Sequence, residues 1–279
     1  MTIIEPHVHM LARTTDEYQA MYRAGIRACV EPSFWLGTNR RYPGSFFDAF
    51  HLVLDFECVR AARYGIDHYC AIAMNPKEAE DKVLAKEVID GLDPYLDHPR
   101  CVAVGEIGFN LITPNEEEAL VRQLQIAEER KMPVVLHTPH QNKLKGTLRI
   151  LDIIKNGHFT VERIDVDHNT EETIKYTLDS GCYAGMTVYP FSKLSPERVS
   201  AMVRQYGSRR VMVNSSADWG ISDPLSLVKV VDRLRQDGHS ESTVQDLVFN
   251  NAMAFYSASP KWKPNFEIVP PDPITYQHR

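Results

Sequence analysis

The chain has 279 residues, of which 43% are hydrophobic and 24% charged, and a formal net charge of −6. Those numbers fit a soluble α/β protein with a sizeable core. They exclude a transmembrane chain and the strongly basic surface of a general nucleic-acid binder.

"MTIIEPHVHM" has neither the charged start nor the long apolar stretch of a secretory signal. The five cysteines, Cys29, Cys58, Cys70, Cys101 and Cys182, include no CxxC pair. They read as free thiols in a reducing compartment, so the expected location is cytoplasmic and no cysteine zinc site is anticipated.

Eight β-rich runs follow one another: 3–10, 28–34, 68–74, 101–108, 133–138, 163–168, 182–188 and 210–216. Most are nearly continuous apolar runs, as buried parallel strands require. Amphipathic segments lie between them. "NEEEALVRQLQIAEERKM" at 115–132 carries acids in its first turn. "TEETIKYTLDSG" at 170–181 has a Thr cap and stops at Gly181. "SPERVSAMVRQYG" at 195–207 and "DPLSLVKVVDRLRQDG" at 223–238 each place Pro early and Gly late. The alternation predicts a single-domain TIM-type (β/α)8 barrel over residues 1–258. An open doubly wound sheet is the alternative, but no Gly-rich dinucleotide fingerprint follows the first strand. Two segments break the rhythm. The connection 34–50 reads as a lid, and the Pro-rich tail 259–279 as extended.

At the C-terminal ends of these runs stand His7, His9, Glu106, His137 and His168, with Asp218 just past the last. Barrel active sites occupy that rim. Each residue alone has a bland reading: a core histidine, a buried paired acid, a helix cap. Together, four imidazoles and two carboxylates from five strands point to metal, and they exceed what one tetrahedral ion can hold. The expected division is His7, His9, Glu106 and Asp218 around one ion, and Glu106, His137 and His168 around a second, with Glu106 bridging. Such ions sit roughly 3.5–4 Å apart and would share a hydroxide, which Asp218 would orient or deprotonate. Mixed nitrogen and oxygen ligands suit zinc or manganese, with magnesium as a further candidate.

The HxH pair, "GEIG", and later His, His and Asp at successive strand ends resemble the TatD-like hydrolases of the amidohydrolase superfamily. "PVVLHT" and "FNNAMAFY" extend the resemblance over most of the chain. It implies a TIM barrel, metal dependence and phosphodiester hydrolysis, several members being deoxyribonucleases, and its ligand pattern falls on the same six residues. The chain also departs from that pattern. It has "GEIGFN" where the family DNases read GEIGLD, "HTPHQNK" without the usual arginine, "DHNTEE" for His-Cys-Phe-Ser-Gly, and "NSSADWG" for Glu-Thr-Asp. Phosphate-facing positions are changed while ligands persist, as in a divergent subgroup acting on small metabolites.

The expected activity is therefore a dinuclear metal-dependent hydrolysis of a phosphoester, through the bridging hydroxide. An amide or lactone hydrolase on the same metals is the alternative. A non-catalytic binding protein would predict an incomplete site. The expected partner is a small molecule, with nucleic-acid ends second and no membrane. His140, Arg40, Arg41 and Tyr42 are substrate candidates against an equally plain reading as loop residues. Lys143, Lys145 and Lys193 would add charge to the rim. Glu5 would accept a hydrogen bond from a ligating histidine. The remaining histidines, His68 among them, have no convergent partner in the sequence.

Overall fold

A computed structural model describes residues 1–270. Eight parallel strands follow in sequence order: β1 (Ile3–Glu5), β2 (Ile26–Pro32), β3 (Asp67–Ala71), β4 (Cys101–Gly108), β5 (Val134–His137), β6 (Ile164–Val166), β7 (Tyr183–Thr187) and β8 (Val211–Asn214). The helices between them are α1 (Thr15–Arg23), α2 (Pro43–His51), α3 (Cys58–Ala62), α4 (Lys82–Asp90), α5 (Asp93–Asp97), α6 (Pro114–Glu129), α7 (Lys143–Asn156), α8 (Ile174–Asp179) and α9 (Pro196–Tyr206). After β8 come α10 (Ser226–Gln236), α11 (Glu241–Gln245) and α12 (Asn251–Tyr256). This is the TIM-type barrel that the alternation predicts. All eight strand runs are present: β4 has the expected bounds, β2 and β3 begin and end earlier than expected, and the other five are shorter.

The helices start where local chemistry satisfies their first N–H groups. Thr113 and Glu116 form a reciprocal capping box at α6, with Pro114 in its first turn. Ser195 accepts from the Arg198 N–H at α9, which Gly207 ends at φ +79°. The helix expected from Thr170 begins only at Ile174, because the Thr173 and Thr177 hydroxyls both donate to Asn169 Oδ1 and hold 170–173 in turns. The second half of the expected lid, from Pro43, is helix. Residues 43–62 run from α2 through a π-helical stretch, Leu52–Glu57, into α3 and bury Phe46 and Phe50 against the wall.

Ile4, Ala28, Val30, Tyr69, Ala71, Val102, Val135 and Met212 pack together within the barrel. Phe255 and Tyr256 of α12 join that cluster, and the Tyr256 hydroxyl donates to the Pro6 carbonyl at 2.7 Å. Trp262, in the segment expected to be an extended tail, is also buried there, 4.7 Å from the Tyr69 ring. The first tail residues thus complete the core, while 271–279 lie outside the described residues. The seam between β8 and β1 is joined beyond the strand ends. Ser216 N–H donates to His7 O and His9 N–H to Ala217 O, both at 2.8 Å. Buried Glu5 accepts from Ser215 N–H at 3.2 Å.

Candidate metal centre

β1 ends at Glu5, so His7 and His9 stand just beyond the strand rather than on it. The chain bends at 6–7, and His9 opens a short 3-10 turn over Met10–Ala12. The two rings still converge, with their Nε2 atoms 3.1 Å apart. Glu106 lies within β4 and His137 ends β5. His168 follows β6 by two residues, at φ +61°, a left-handed conformation uncommon for histidine.

Glu106 Oε1 is the hub. It lies 3.2 Å from His168 Nε2, 3.3 Å from His137 Nδ1 and 3.5 Å from His7 Nε2, while Oε2 is 3.9 Å from His9 Nε2. His137 Nδ1 and His168 Nε2 are 3.1 Å apart. Two nitrogens sharing a tetrahedral ion at its usual bond length lie about 3.3 Å apart, so both histidine pairs have the spacing of co-ligands. Imidazole nitrogens gathered at this spacing around one buried carboxylate make a mixed nitrogen and oxygen donor set. The donor set therefore fits divalent metal.

Asp167, adjacent to His168 and marked by no strand-end pattern, organises the centre. Its Oδ2 accepts from His7 Nδ1 at 2.5 Å, which leaves His7 Nε2 facing the cluster. Its Oδ1 accepts from His168 N–H at 2.6 Å, and Asn214 Nδ2 donates to both oxygens. The fully buried carboxyl stays ionised. Burial opposes the charge, but His168 and the His7 hydrogen bond hold its pKa far below the carboxylate range. Gly185 makes room for it, since a Cβ there would sit 2.2 Å from Asp167 Oδ1. The aspartate just before the ligand histidine, in "DVDH", is the signal that could have marked this role. Glu5 plays a different part from the one expected: it accepts from the backbone N–H of His7, not its ring, and burial raises its carboxyl to about 8.

Burial also works against charge on Glu106, yet His7 and the hydrogen bonds of His137 and His168 hold it well below its ordinary pKa. His9 is lowered to about 3 by burial and by His7, which leaves a neutral imidazole. Its Nδ1 is buried with no hydrogen-bond partner, and its ring stacks on Phe34 at 3.8 Å.

These groups open into a pocket of about 260 Å³ walled by Phe34, Trp35 and Trp219, with Lys193, His140 and Asp218 at its edges. Asp218 faces the pocket, but its Oδ1 accepts from the Tyr189 hydroxyl at 2.8 Å and Gly220 N–H at 2.7 Å. Lys193 Nζ reaches His168 Nδ1 and Ser216 Oγ, both at 3.3 Å. His140 is pressed down to about 4, first by burial and then by His137, so it is neutral at pH 7.

Arg40, Arg41 and Tyr42 do not reach this pocket. Arg40 pairs with buried Glu78 at 2.5 Å and lies over the Phe46 ring. Arg41 lines a separate hollow, and Tyr42 is 72% exposed before α2. The physical reason is Glu78, which captures both the guanidinium and the backbone N–H of Arg40. Lys145 is exposed on α7.

With this geometry in view, the comparisons are specific. The family model for TatD-related DNases matches residues 4–257. A metal-dependent hydrolase of Methanocaldococcus jannaschii is 26% identical over 261 residues, which span 91% of this chain and 99% of that protein. The crystal structure of a TatD-like protein from Archaeoglobus fulgidus superposes with a TM-score of 0.74 at 25% identity, over 91% of this chain and 99% of that one. An organophosphorus hydrolase from Deinococcus radiodurans shares the fold, with a TM-score of 0.66 at 14% identity over 91% and 92% of the two chains.

Proposed function

Because the chain belongs to the TatD-related DNase family and is a metal-dependent hydrolase, we propose that it holds two divalent ions of the zinc or manganese class and hydrolyses a small phosphoester. His7, His9, Glu106 and Asp218 would hold one ion, and Glu106, His137 and His168 the other. Bound there, the ions would supply Lewis acidity and lower the pKa of a water. The chain supplies the rest. Asp167 fixes the His7 tautomer. Tyr189 and Gly220 hold the Asp218 carboxylate in one orientation, from which it takes the proton of the attacking water.

Lys193 carries the choice of a phosphoester. Its amine lies at the pocket edge, beside Ser216 and against the histidine cluster; burial lowers its pKa, and an anionic group bound beside it would favour the ammonium. The aromatic wall and the small volume limit the substrate and exclude water. DNA ends are a weaker match, since the pocket is narrow and the net charge negative. One observation favours an amide or lactone instead: no arginine lines the pocket among the described residues. Five buried free thiols support a reducing, cytoplasmic setting.

The test is a panel of phosphomonoesters, phosphodiesters, lactones, amides and single-stranded DNA, each with added zinc or manganese. Turnover should be highest on a small phosphoester, and Lys193→Met should raise its KM more than it lowers kcat. Faster turnover of neutral lactones or amides, unaffected by Lys193→Met, would replace this reading with the second. DNA cleavage matching the small phosphoester would overturn the size argument.

A further inference from the structure

A second convergence of ligands lies on the helix-facing side of the barrel wall. Cys70 stands on β3 and Cys58 opens α3, while His68 precedes Cys70 by two residues on the same face. His68 Nδ1 is 3.2 Å from Cys58 Sγ and 3.8 Å from Cys70 Sγ, and the three ligand atoms all lie within 4.8 Å of one another. All three residues are buried. In a tetrahedral site with ordinary metal–sulfur and metal–nitrogen bonds, sulfur and nitrogen lie about 3.5 Å apart, which the two observed distances bracket.

The surroundings are built as for a ligand. His68 Nε2 lies 2.8 Å from buried Glu31, which leaves Nδ1 facing the thiols, the carboxylate–histidine arrangement that backs metal-bound imidazoles. Both sulfurs also contact the Val53 carbonyl, at 3.3 and 3.4 Å, so an oxygen donor converges with them. Val53 belongs to the π-helical stretch between α2 and α3, and such stretches concentrate at functional sites. A surface hollow of about 590 Å³, lined by Cys58, Asp55, His98 and Arg100, gives a path from solvent.

We infer that Cys58, His68 and Cys70, with the Val53 carbonyl, form a second metal site for a thiophilic d¹⁰ ion of the zinc class, separate from the rim centre. Two thiols lose their protons on binding, and the two thiolates balance the charge of a divalent ion, as a buried site requires. Soft sulfur ligands select zinc over the harder ions that a carboxylate-rich rim accepts. The ion would fasten the α2–α3 helical arm to the barrel wall.

Cobalt(II) distinguishes the two centres, because only a sulfur ligand gives thiolate-to-cobalt charge-transfer absorption. The reduced, metal-stripped full chain should develop that band on cobalt titration, in Glu106→Gln saturating at about one equivalent, and zinc should bleach it. The band should persist in Glu106→Gln and vanish in Cys58→Ser and in Cys70→Ser. If the serine variants do not fold, the wild-type and Glu106→Gln titrations still decide. Absence of the band in wild type at saturating cobalt would overturn the site and leave a hydrogen-bonded core network. A Cys58–Cys70 disulfide in the protein as isolated from cells, seen by mass spectrometry as the loss of two hydrogens, would likewise overturn it.

Discussion

Two histidine clusters share this barrel, and they are built in opposite ways. At the rim, His7, His9, His137 and His168 come from loops and strand ends around the barrel and converge on one carboxylate, that of Glu106. On the wall, a single histidine is held between Glu31 and two thiols contributed by β2, β3 and α3. Each cluster has a carboxylate that fixes a tautomer, Asp167 for His7 and Glu31 for His68. The rim cluster opens directly into a pocket, whereas the wall cluster is buried between β3 and the helical arm. An arrangement that opens into a pocket is the one suited to turnover.

The sharpest way to break the comparison is Glu106→Gln. In the proposed two-ion arrangement it would remove the oxygen shared by both ions, so rim metal and hydrolytic activity should both be lost. The fold should persist, because Glu106 belongs to no core cluster. Metal analysis of the purified variant with unchanged rim stoichiometry would end the bridging role. Asp218→Asn should act on chemistry rather than occupancy. At least one ion should remain while kcat falls about 10²-fold or more, the scale of a lost positioned base. Near-normal kcat with metals intact would move that role elsewhere. Asp167→Asn should act through His7, lowering rim metal affinity about 10- to 100-fold with a smaller change in kcat at saturating metal. Equal metal affinity in wild type and variant, measured by competition with a chelator, would show that the His7 tautomer is set otherwise.

The difference between the clusters also explains what could be read from the chain. Strand ends are visible as the places where apolar runs stop, and barrel topology brings all of them to one rim, so Glu106 and four histidines could be listed from sequence. His7 and His9 were legible even though β1 stops at Glu5, because two residues past a strand remain at the same rim. Asp167 was not legible as a partner, since its role depends on reaching across the barrel to His7 and Asn214, more than forty positions away on either side. The wall cluster was less legible still. Cys58 and Cys70 show no metal-binding spacing, and they meet only because a π-helical stretch sets the register of α3 against β3. Arg40 was misplaced for the same kind of reason: Glu78, its partner, lies 38 residues on.

The smallest effect tests the charge crowding itself. Lys143 begins α7, and its Nζ donates to the Thr138 hydroxyl at 2.9 Å behind the rim. Burial first, and Lys193 second, lower its pKa from 10.5 to about 8. A depressed lysine pKa means that the unfolded chain binds more protons than the folded one between pH 8 and 10.5, so stability should rise with pH across that window. At pH 7 the charged form is carried at a cost of up to about 3 kcal/mol, less what solvent screens at this partly accessible position. Lys143→Met removes the titration but also the bonds to Thr138, so the two proteins should be compared by their difference. Denaturant melts from pH 7 to pH 10 should show wild type gaining about 1–3 kcal/mol relative to the variant. A difference that stays constant with pH would mean that the Lys143 ammonium is solvated in the folded state.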